Sequence, residues 1–239
     1  MSVANANASP NRLQRRKQRT REALISAAQG FIATGKLNVP IQDISQAADV
    51  GVGSFYNHFE SKEELFEAAI NEVLDAHGAL LDALTASIDD PAEAFAISFR
   101  LTGRMFRRPD SRIVLNHGLR MITADRGLAP RAKRDIAAAA AAGRFREADP
   151  QLAMAVAAGA LLGLGQLLQD EPDRDAARAT DQVTEDLLRM FGLSADDAHR
   201  LCNMPLDVDA LSEDRDAYVA PVSAATSPSV SATVTVSAE

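Results

Sequence analysis

Residues 40–65 constrain the fold more than any other stretch, because two short helical patterns meet there across a tight turn. The first pattern opens at Pro40, a residue that suits the first position of a helix, where no backbone donor is needed. Its apolar positions recur at helical spacing: Ile41, Ile44 and Ala48. The pattern breaks at Asp49, a residue type that adopts the left-handed conformation comparatively readily, and Gly51 is an acceptable N-cap for the next helix. A helix, a tight turn and a second helix are therefore predicted.

The second short helix is predicted from about Val52 to Phe59, and it has a small, polar outer surface. Its apolar residues fall at i, i+3 and i+7: Val52, Phe55 and Phe59. The remaining surface is shared by Gly53, Ser54, Tyr56, Asn57 and His58. Ser61, followed three residues later by Glu64, forms a capping box that opens a further helix. Two short helices with such a surface are typical of a unit that presents a helix to the major groove of DNA.

The stretch GVGSFYNHFESKEELF at 51–66 resembles the signature of the TetR family of bacterial transcriptional repressors. The likeness also takes in REALISAAQGF at 21–31 and Gly35, so it extends over roughly residues 14 to 66. Two positions depart from the family pattern. Asp49 stands where the family usually has a glycine, and Gly51 where it usually has a serine or threonine, and both substitutes are chemically tolerable there. A helical hairpin with no role in DNA binding is the alternative interpretation.

The resemblance implies which side chains meet DNA. It places Tyr56, His58 and Lys62 on phosphates, and Gln42 close to the DNA backbone. The resemblance also implies that four positions face base edges: Val52, Gly53, Ser54 and Asn57. The chemistry agrees, because a glycine lets the protein backbone approach the duplex and the Asn57 amide can pair with adenine. Since no Arg or Lys lies in the second helix, phosphate contacts and dimer symmetry must supply much of the selectivity.

Charge divides the chain into a basic beginning and an acidic remainder. The net charge is −8, yet residues 1–60 carry seven Lys and Arg against four Asp and Glu. Six of the basic residues lie between Arg12 and Arg21, and among them we predict DNA contacts by Arg15, Arg16 and Arg19. The helix dipole disfavours cations at the start of a helix, so a phosphate partner explains this run better than a solvated surface does.

Length and composition predict an all-α protein, because helix-forming residues dominate and apolar residues follow helical spacing. Residues 1–11 are expected to form a disordered N-terminal arm, and 12–61 a three-helix DNA-binding domain that contains the helix-turn-helix. The resemblance implies that residues 62–204 form a helical ligand-binding and dimerisation domain. Residues 205–239 turn to Ala, Ser, Thr, Val and Pro and are expected to be a low-complexity, disordered tail.

What the sequence lacks disfavours several other classes of protein. The single cysteine, Cys202, leaves no intramolecular disulfide, and the four histidines lack the spacing of metal ligands. No nucleophile elbow, Gly-rich phosphate loop or H-E-x-x-H motif occurs, so neither catalysis nor a metal or cofactor is expected. Because the N-terminus has no apolar signal segment, we expect a cytoplasmic protein that is neither secreted nor in a membrane.

The resemblance implies that the last long helices pair two copies of the chain. In the helix predicted from Pro150 to about Asp170, small residues recur every four positions: Ala155, Gly159 and Gly163. Such a stripe lets another helix approach closely. It predicts packing at the dimer interface or against the following helix, whose Leu187 is a further candidate interface residue. A membrane span is the alternative for this nearly uncharged segment, but its Ala and Gly content and the lack of a second such segment disfavour it.

The resemblance also implies a small-molecule cavity among the middle helices. Three phenylalanines repeat along a helix predicted to start at Pro91 and to be ended by Arg107-Arg108-Pro109. A Met and polar residues lie on the next helix, predicted over about 110–123. Apolar walls with few polar groups are typical of ligand pockets. The candidate ligand contacts are Phe95, Phe99, Arg104, Phe106, His117, Arg120 and Met121. The alternative is that the phenylalanines are simple core and the polar residues are exposed or paired with carboxylates.

Together these features predict a homodimeric DNA-binding regulator, a repressor of a palindromic operator in double-stranded DNA. A small, mostly apolar effector would release it from that DNA. The alternative is a helical DNA-binding dimer that a protein partner controls, with no small-molecule effector. A small apolar compound that raised the thermal stability of the protein would favour the first hypothesis, because a ligand of the native state stabilises it by mass action.

Overall fold

The computed structural model of the protein describes residues 12–107, 127–146 and 149–206. Every regular element in these ranges is a helix, which confirms the predicted all-α class. The helices, numbered among the described residues only, are α1 (Arg12–Ala33), α2 (Ile41–Ala47), α3 (Val52–Phe55), α4 (Lys62–Thr85), α5 (Pro91–Arg104), α6 (Leu128–Ala141), α7 (Pro150–Asp170), α8 (Ala176–Met190) and α9 (Ala195–Asn203). A 3₁₀ turn, Met105–Arg107, follows α5. Three predicted segments lie wholly or almost wholly outside the described residues: the arm at 1–11, the helix at 110–123, and the tail at 205–239 from residue 207 onward.

Local capping chemistry sets several of the helix starts. Ser61 Oγ accepts a hydrogen bond from the Glu64 N–H at 3.1 Å, which confirms the predicted start of α4. The Glu64 carboxylate reaches back to the N–H of Glu60 at 2.6 Å, one residue before the capping serine. Asp90 caps α5, whose first residue is Pro91 as predicted. Each cap satisfies a backbone N–H that the first turn of a helix leaves without an internal partner.

Two apolar cores are joined by α4. The N-terminal core is built by α1, α2, α3 and the first half of α4, around Leu24, Ile44, Phe55 and Leu65, all of which are fully buried. The C-terminal core is built by α5 to α9 and includes Phe95, Phe145, Leu188 and Leu201. The far half of α4 continues toward this second core, where Leu81 is buried. One helix therefore runs from the N-terminal unit into the C-terminal body.

Two predicted helix ends were wrong. The second short helix was expected to reach Phe59, but α3 ends at Phe55 and Tyr56 is its C-cap. Bonds from the His58 and Phe59 N–H groups to the Phe55 carbonyl, at 2.9 and 3.0 Å, continue the chain as a turn. Because this turn keeps nearly helical pitch, Phe59 still reaches the core at 3% exposure. The helix predicted from Pro91 to the break at 107–109 also ends earlier, at Arg104, ahead of the 3₁₀ turn.

The stripe of small residues on α7 faces away from the rest of the chain. Ala155, Gly159 and Gly163 are exposed, and a Cβ placed on either glycine would meet no other atom within 4 Å. Packing of the stripe against the following helix, one of the two predicted alternatives, is therefore wrong. Leu187 on α8 is 4% exposed and belongs to the C-terminal core, so it does not share a surface with the stripe. This burial within one protomer does not favour the predicted place of Leu187 in a dimer interface.

By length and composition, α7 alone among the described helices could cross a bilayer. Its most apolar 18-residue window has a mean hydropathy of 1.6, and 39% of that window is buried within the protein. The buried side contributes Met154, Ala157 and Leu164 to apolar clusters. The core helix of a water-soluble protein meets the same criteria.

Candidate nucleic-acid interface and effector cavity

The turn between α2 and α3 has the geometry that its residues predicted. Asp49 lies in the left-handed region at φ 53°, the one non-glycine residue of the described chain with positive φ. The Val50 N–H then closes the turn on the Ser45 carbonyl at 2.9 Å. Gly51 is extended at φ −69° and ψ 147° and is the N-cap of α3. The turn therefore forms without the glycine and the hydroxyl cap that the resemblance led us to expect.

The outer surface of α3 and the turn after it carries most of the predicted base-reading residues. Val52, Gly53, Tyr56 and Asn57 are exposed, whereas Ser54 and His58 are half-buried. Val52, which shares the apolar spacing of Phe55 and Phe59, is 38% exposed and lies on the outer side. A Cβ on Gly53 would meet no atom within 4 Å, so packing inside the protein does not require a glycine there.

Helix α1, which carries the basic run, packs in the same core as α2 and α3, which together form the recognition unit. Arg15, Arg16 and Arg19 are exposed along its N-terminal half. Arg21 lies over the Phe59 ring, with its guanidinium carbon 5.4 Å from the ring centroid, and forms a 3.3 Å ion pair with Glu72 of α4. Since Phe59 and Glu72 both follow α3 in the chain, these contacts attach the basic helix to the segment after α3.

The electrostatic surroundings of His58 show the positive character of this region. Partial burial lowers the pKa of His58, and the nearby charges of Lys17 and Arg21 lower it further. His58 is therefore neutral near pH 7 in the free protein. Lys62, the first residue of α4, and Gln42, exposed in the first turn of α2, complete the set of predicted DNA contacts.

A cavity that is partly open to solvent lies among α4, α5, α6 and α7, with about 630 Å³ of empty space when the adjoining solvent is included. Most of its wall is apolar, and Ser98 and Thr102 add two hydroxyl groups. The apolar lining consists of Leu81, Phe95, Phe99, Leu128, Ala132, Met154, Ala157, Ala158 and Leu161. Two of the predicted ligand contacts, Phe95 and Phe99, are thus placed on the cavity wall.

Two other predicted ligand contacts lie elsewhere. Arg104 forms hydrogen bonds with both carboxylate oxygens of Asp181 at 2.9 Å, and the same carboxylate holds the buried Arg100 at 2.8 Å. Phe106 packs in a separate cluster with Leu164 and Leu168. Neither side chain lines this cavity, because Asp181 of α8 holds Arg104 and residues of α7 surround Phe106. The remaining candidates, His117, Arg120 and Met121, lie outside the described residues.

One end of the cavity carries three charged residues that the sequence analysis missed: Asp82, Arg131 and Asp135. Arg131 Nε donates to Asp82 Oδ2 at 2.8 Å. Arg134, outside the lining, bridges Asp82 at 2.7 Å and Asp135 at 2.9 Å. In the sequence, these residues could have been suspected from the Arg-x-x-Arg-Asp pattern at 131–135, a charged run within an otherwise Ala-rich helix.

The two carboxylates at this end have pKa values shifted in opposite directions. Burial acts to raise the pKa of Asp82, but hydrogen bonds from Arg131 and Arg134 outweigh it and hold the pKa below its usual value. Burial raises the pKa of Asp135, and the bond from Arg134 only partly offsets this. The cavity therefore presents a firmly ionised carboxylate beside a more readily protonated one.

Both units of the chain are similar to known proteins. Residues 24–69 match the profile of bacterial regulatory proteins of the tetR family, and 90–203 match the tetracyclin repressor-like C-terminal domain. The solved structure of RolR in complex with resorcinol is 30% identical, with a TM-score of 0.67 over 80% of this chain and 97% of that one. This chain belongs to the TetR family. It is thus a DNA-binding transcriptional regulator, and the helix-turn-helix identified in the sequence is confirmed.

Other TetR-family relatives share shorter or similar stretches. The regulator TcmR of Streptomyces glaucescens is 34% identical over 92 residues, or 38% of this chain. The repressor KstR2 of Mycolicibacterium smegmatis is 32% identical over 82 residues, or 33% of this chain. Each alignment spans 40% of the relative's own length. RolR without ligand is 28% identical, with a TM-score of 0.65 over 77% of this chain and 97% of that one.

The one cysteine of this TetR-family protein is not placed for nucleophilic chemistry. Cys202 is 2% exposed in the C-terminal core. Burial raises its pKa to about 12, so it is a protonated thiol near pH 7.

Proposed function

We propose that the protein is a homodimeric, cytoplasmic repressor that leaves a palindromic operator when a small phenolic compound enters the cavity. The observation that carries the proposal is the cavity itself, because it combines aromatic walls with a charged end and lies beside α4. That helix begins directly after the recognition unit. A helical dimer controlled only by a protein partner would not need such a cavity, which is why the small-molecule hypothesis is preferred.

The chemistry of the cavity favours a neutral ligand that carries hydroxyl groups. Phe95 and Phe99 offer ring surfaces to an aromatic ligand, and Ser98 and Thr102 lie near them on α5. At the charged end, Arg131 and Arg134 already pair with the two carboxylates, so neither guanidinium is left without a carboxylate partner for an anionic ligand. Ligand hydroxyl groups could donate to Asp82 and Asp135. The similarity to RolR, whose structure contains resorcinol, supports a dihydroxybenzene or a related phenol.

The exposed side of α7 supports the homodimer. Large apolar residues on that side remain open to solvent: Leu152 is 66% exposed, Val156 41% and Leu167 37%. Ala155, Gly159 and Gly163 lie among them and leave room for a second helix to approach. A contiguous apolar surface of this kind is typical of a protein interface. A two-fold dimer would place two recognition units on half-sites about 34–36 Å apart, or as the dimer geometry adjusts that spacing.

The function is tested by selecting operator duplexes from a random DNA library and adding ortho, meta or para dihydroxybenzene to the complex. At least one isomer should raise the melting temperature of the free protein and release the selected duplex. Asp135→Asn and Phe99→Ala should weaken that isomer at least tenfold, a loss of about 1.4 kcal/mol or more.

The matched control is Asp186→Asn on α8, the same chemical change at an exposed carboxylate away from the cavity. Ligand affinity should be unchanged in this variant. If no phenol binds, or if all three variants respond to it alike, the cavity is not the effector site. Release by a protein from the same cells, without any small molecule, would favour the partner-controlled alternative.

A further inference from the structure

The first turn of α6 touches both the effector cavity and the N-terminal core. Leu128, the first residue of α6, lines the cavity. The same side chain packs against the N-terminal core, which also contains Phe55 of α3 and Phe59 of the turn after it. Among the described lining residues, Leu128 is the one that is also packed against this core. A displacement of this turn would therefore change packing against the N-terminal core.

Gly127 holds the same turn against α4. Its N–H donates to Asp75 Oδ1 at 2.8 Å. Its φ of +74° is a conformation that favours glycine, and a Cβ there would lie 3.3 Å from the Leu74 Cβ. Because Leu74 belongs to the N-terminal core, the backbone of this turn rests on that core as well.

Arg131 connects the turn to the charged end of the cavity. Its Nη1 donates to the Gly127 carbonyl at 2.8 Å and lies 3.9 Å from Asp75, while its Nε donates to Asp82. The guanidinium crosses α4 at Gly78, where a Cβ would lie only 2.6 Å from Nη1. The side chain that a phenolic ligand would meet is thus the one that fixes the Gly127 turn.

We infer that residues 127–131, the α6 entry turn, transmit effector occupancy to the DNA-binding unit through Leu128 and through the Asp75 contact with Gly127. This inference rests on the proposed function, because it assigns a regulatory role to the wall of the same cavity. A ligand hydroxyl that donates to Asp82 competes with Arg131 for that carboxylate. Loss of the Arg131 bond then weakens the packing of the entry turn on α4. The ligand shifts the equilibrium only to the extent that it binds the displaced state better than the DNA-competent state.

The first test measures coupling, defined as the ratio of operator dissociation constants with and without saturating dihydroxybenzene. A wild-type ratio of about 5 to 150 is typical of allosteric proteins. Asp75 does not line the cavity, so Asp75→Ala should still bind the ligand while its ratio falls toward one. Asp75→Asn retains an acceptor for the Gly127 N–H and should keep more of the coupling. Glu67→Ala removes an exposed carboxylate elsewhere on α4 and should leave the ratio unchanged.

The second test needs no ligand and measures amide hydrogen exchange in the free protein. Asp75→Ala should speed exchange in the α6 entry turn and also in the N-terminal core around Leu74, because one packed unit is loosened. Glu67→Ala should do neither. Exchange that rises in α6 alone, or coupling that survives in Asp75→Ala, overturns the inference. A wild-type protein that ignores every dihydroxybenzene instead counts against the proposed function, and the exchange measurement still decides whether the turn and the core are joined.

Discussion

At the scale of single residues, Asn57 and Lys62 should make different kinds of contact with DNA. Asn57 is exposed beside α3, where its amide can pair with adenine, and Lys62 opens α4, where its charge adds to the backbone amides. Asn57→Ala should cost about 1–3 kcal/mol at one or two base pairs, whereas Lys62→Ala should weaken all duplexes alike and reduce the salt slope by about one. Binding titrations over several salt concentrations would show this, and equal losses on selected and random DNA for both variants would contradict it.

His58 should make DNA binding depend on pH. Burial, Lys17 and Arg21 lower its pKa in the free protein, so the free state binds few protons at this ring near pH 7. A bound phosphate would raise the pKa again, so the complex holds more protons than the free protein does. By linkage, operator affinity should rise as the pH falls from the bound-state pKa to the free-state pKa, and then level off. His58→Gln should remove most of that slope, and an unchanged slope would place the titrating group elsewhere.

Some site residues could be identified from the sequence because their roles depend on neighbours in the chain. The left-handed Asp49, the N-cap Gly51 and the capping Ser61 are set by one or two turns of backbone. Asp82 and Arg131 could not be found this way, since they are 49 residues apart and meet only when α6 packs on α4. Charged residues are usually exposed, so nothing local marked these two as cavity lining.

At the scale of the helices, Gly53 should lower the stability of the protein relative to an alanine at the same position in α3. The position is helical and exposed, and a Cβ there would meet no protein atom within 4 Å. Gly53→Ala should therefore stabilise the protein by about 0.4–1 kcal/mol, because alanine restricts the unfolded chain. The same methyl group would lie where the duplex approaches, so operator affinity should fall. Urea unfolding and DNA titration of one variant would measure both effects, and a variant with unchanged DNA affinity would show that the glycine does not serve DNA approach.

Helix starts were easier to predict than helix ends. Asp90 with Pro91 and Ser61 with Glu64 fix starts through side-chain hydrogen bonds that the sequence displays. The end of α3 has no such signal, because Tyr56, Asn57 and His58 continue as a turn whose extent depends on how Phe55 and Phe59 fit the N-terminal core. Tertiary packing, and not local propensity, therefore sets the length of the recognition helix.

At the scale of the whole molecule, the two sides of α7 face different surroundings. One side contributes Met154 and Ala157 to the cavity wall, while the other carries the exposed stripe. An effector and a second protomer can therefore occupy opposite sides of one helix. The sequence displayed the stripe but could not say which surface it faced, because burial depends on where α8 packs.

Gly159→Leu tests the dimer without disturbing the protomer. No atom of the chain lies within 4 Å of a Cβ at this position, so the larger side chain should leave the protomer core intact. At a close helix-to-helix contact between protomers it would be overpacked, which typically costs about 1–3 kcal/mol. Sedimentation should then show more monomer at a given concentration, and Glu67→Leu, on an exposed part of α4, should not. Operator affinity should fall with dimerisation, because a monomer reads one half-site, while ligand binding in the cavity should persist. A Gly159→Leu protein that remains as firmly dimeric as the wild type would place the interface on another surface.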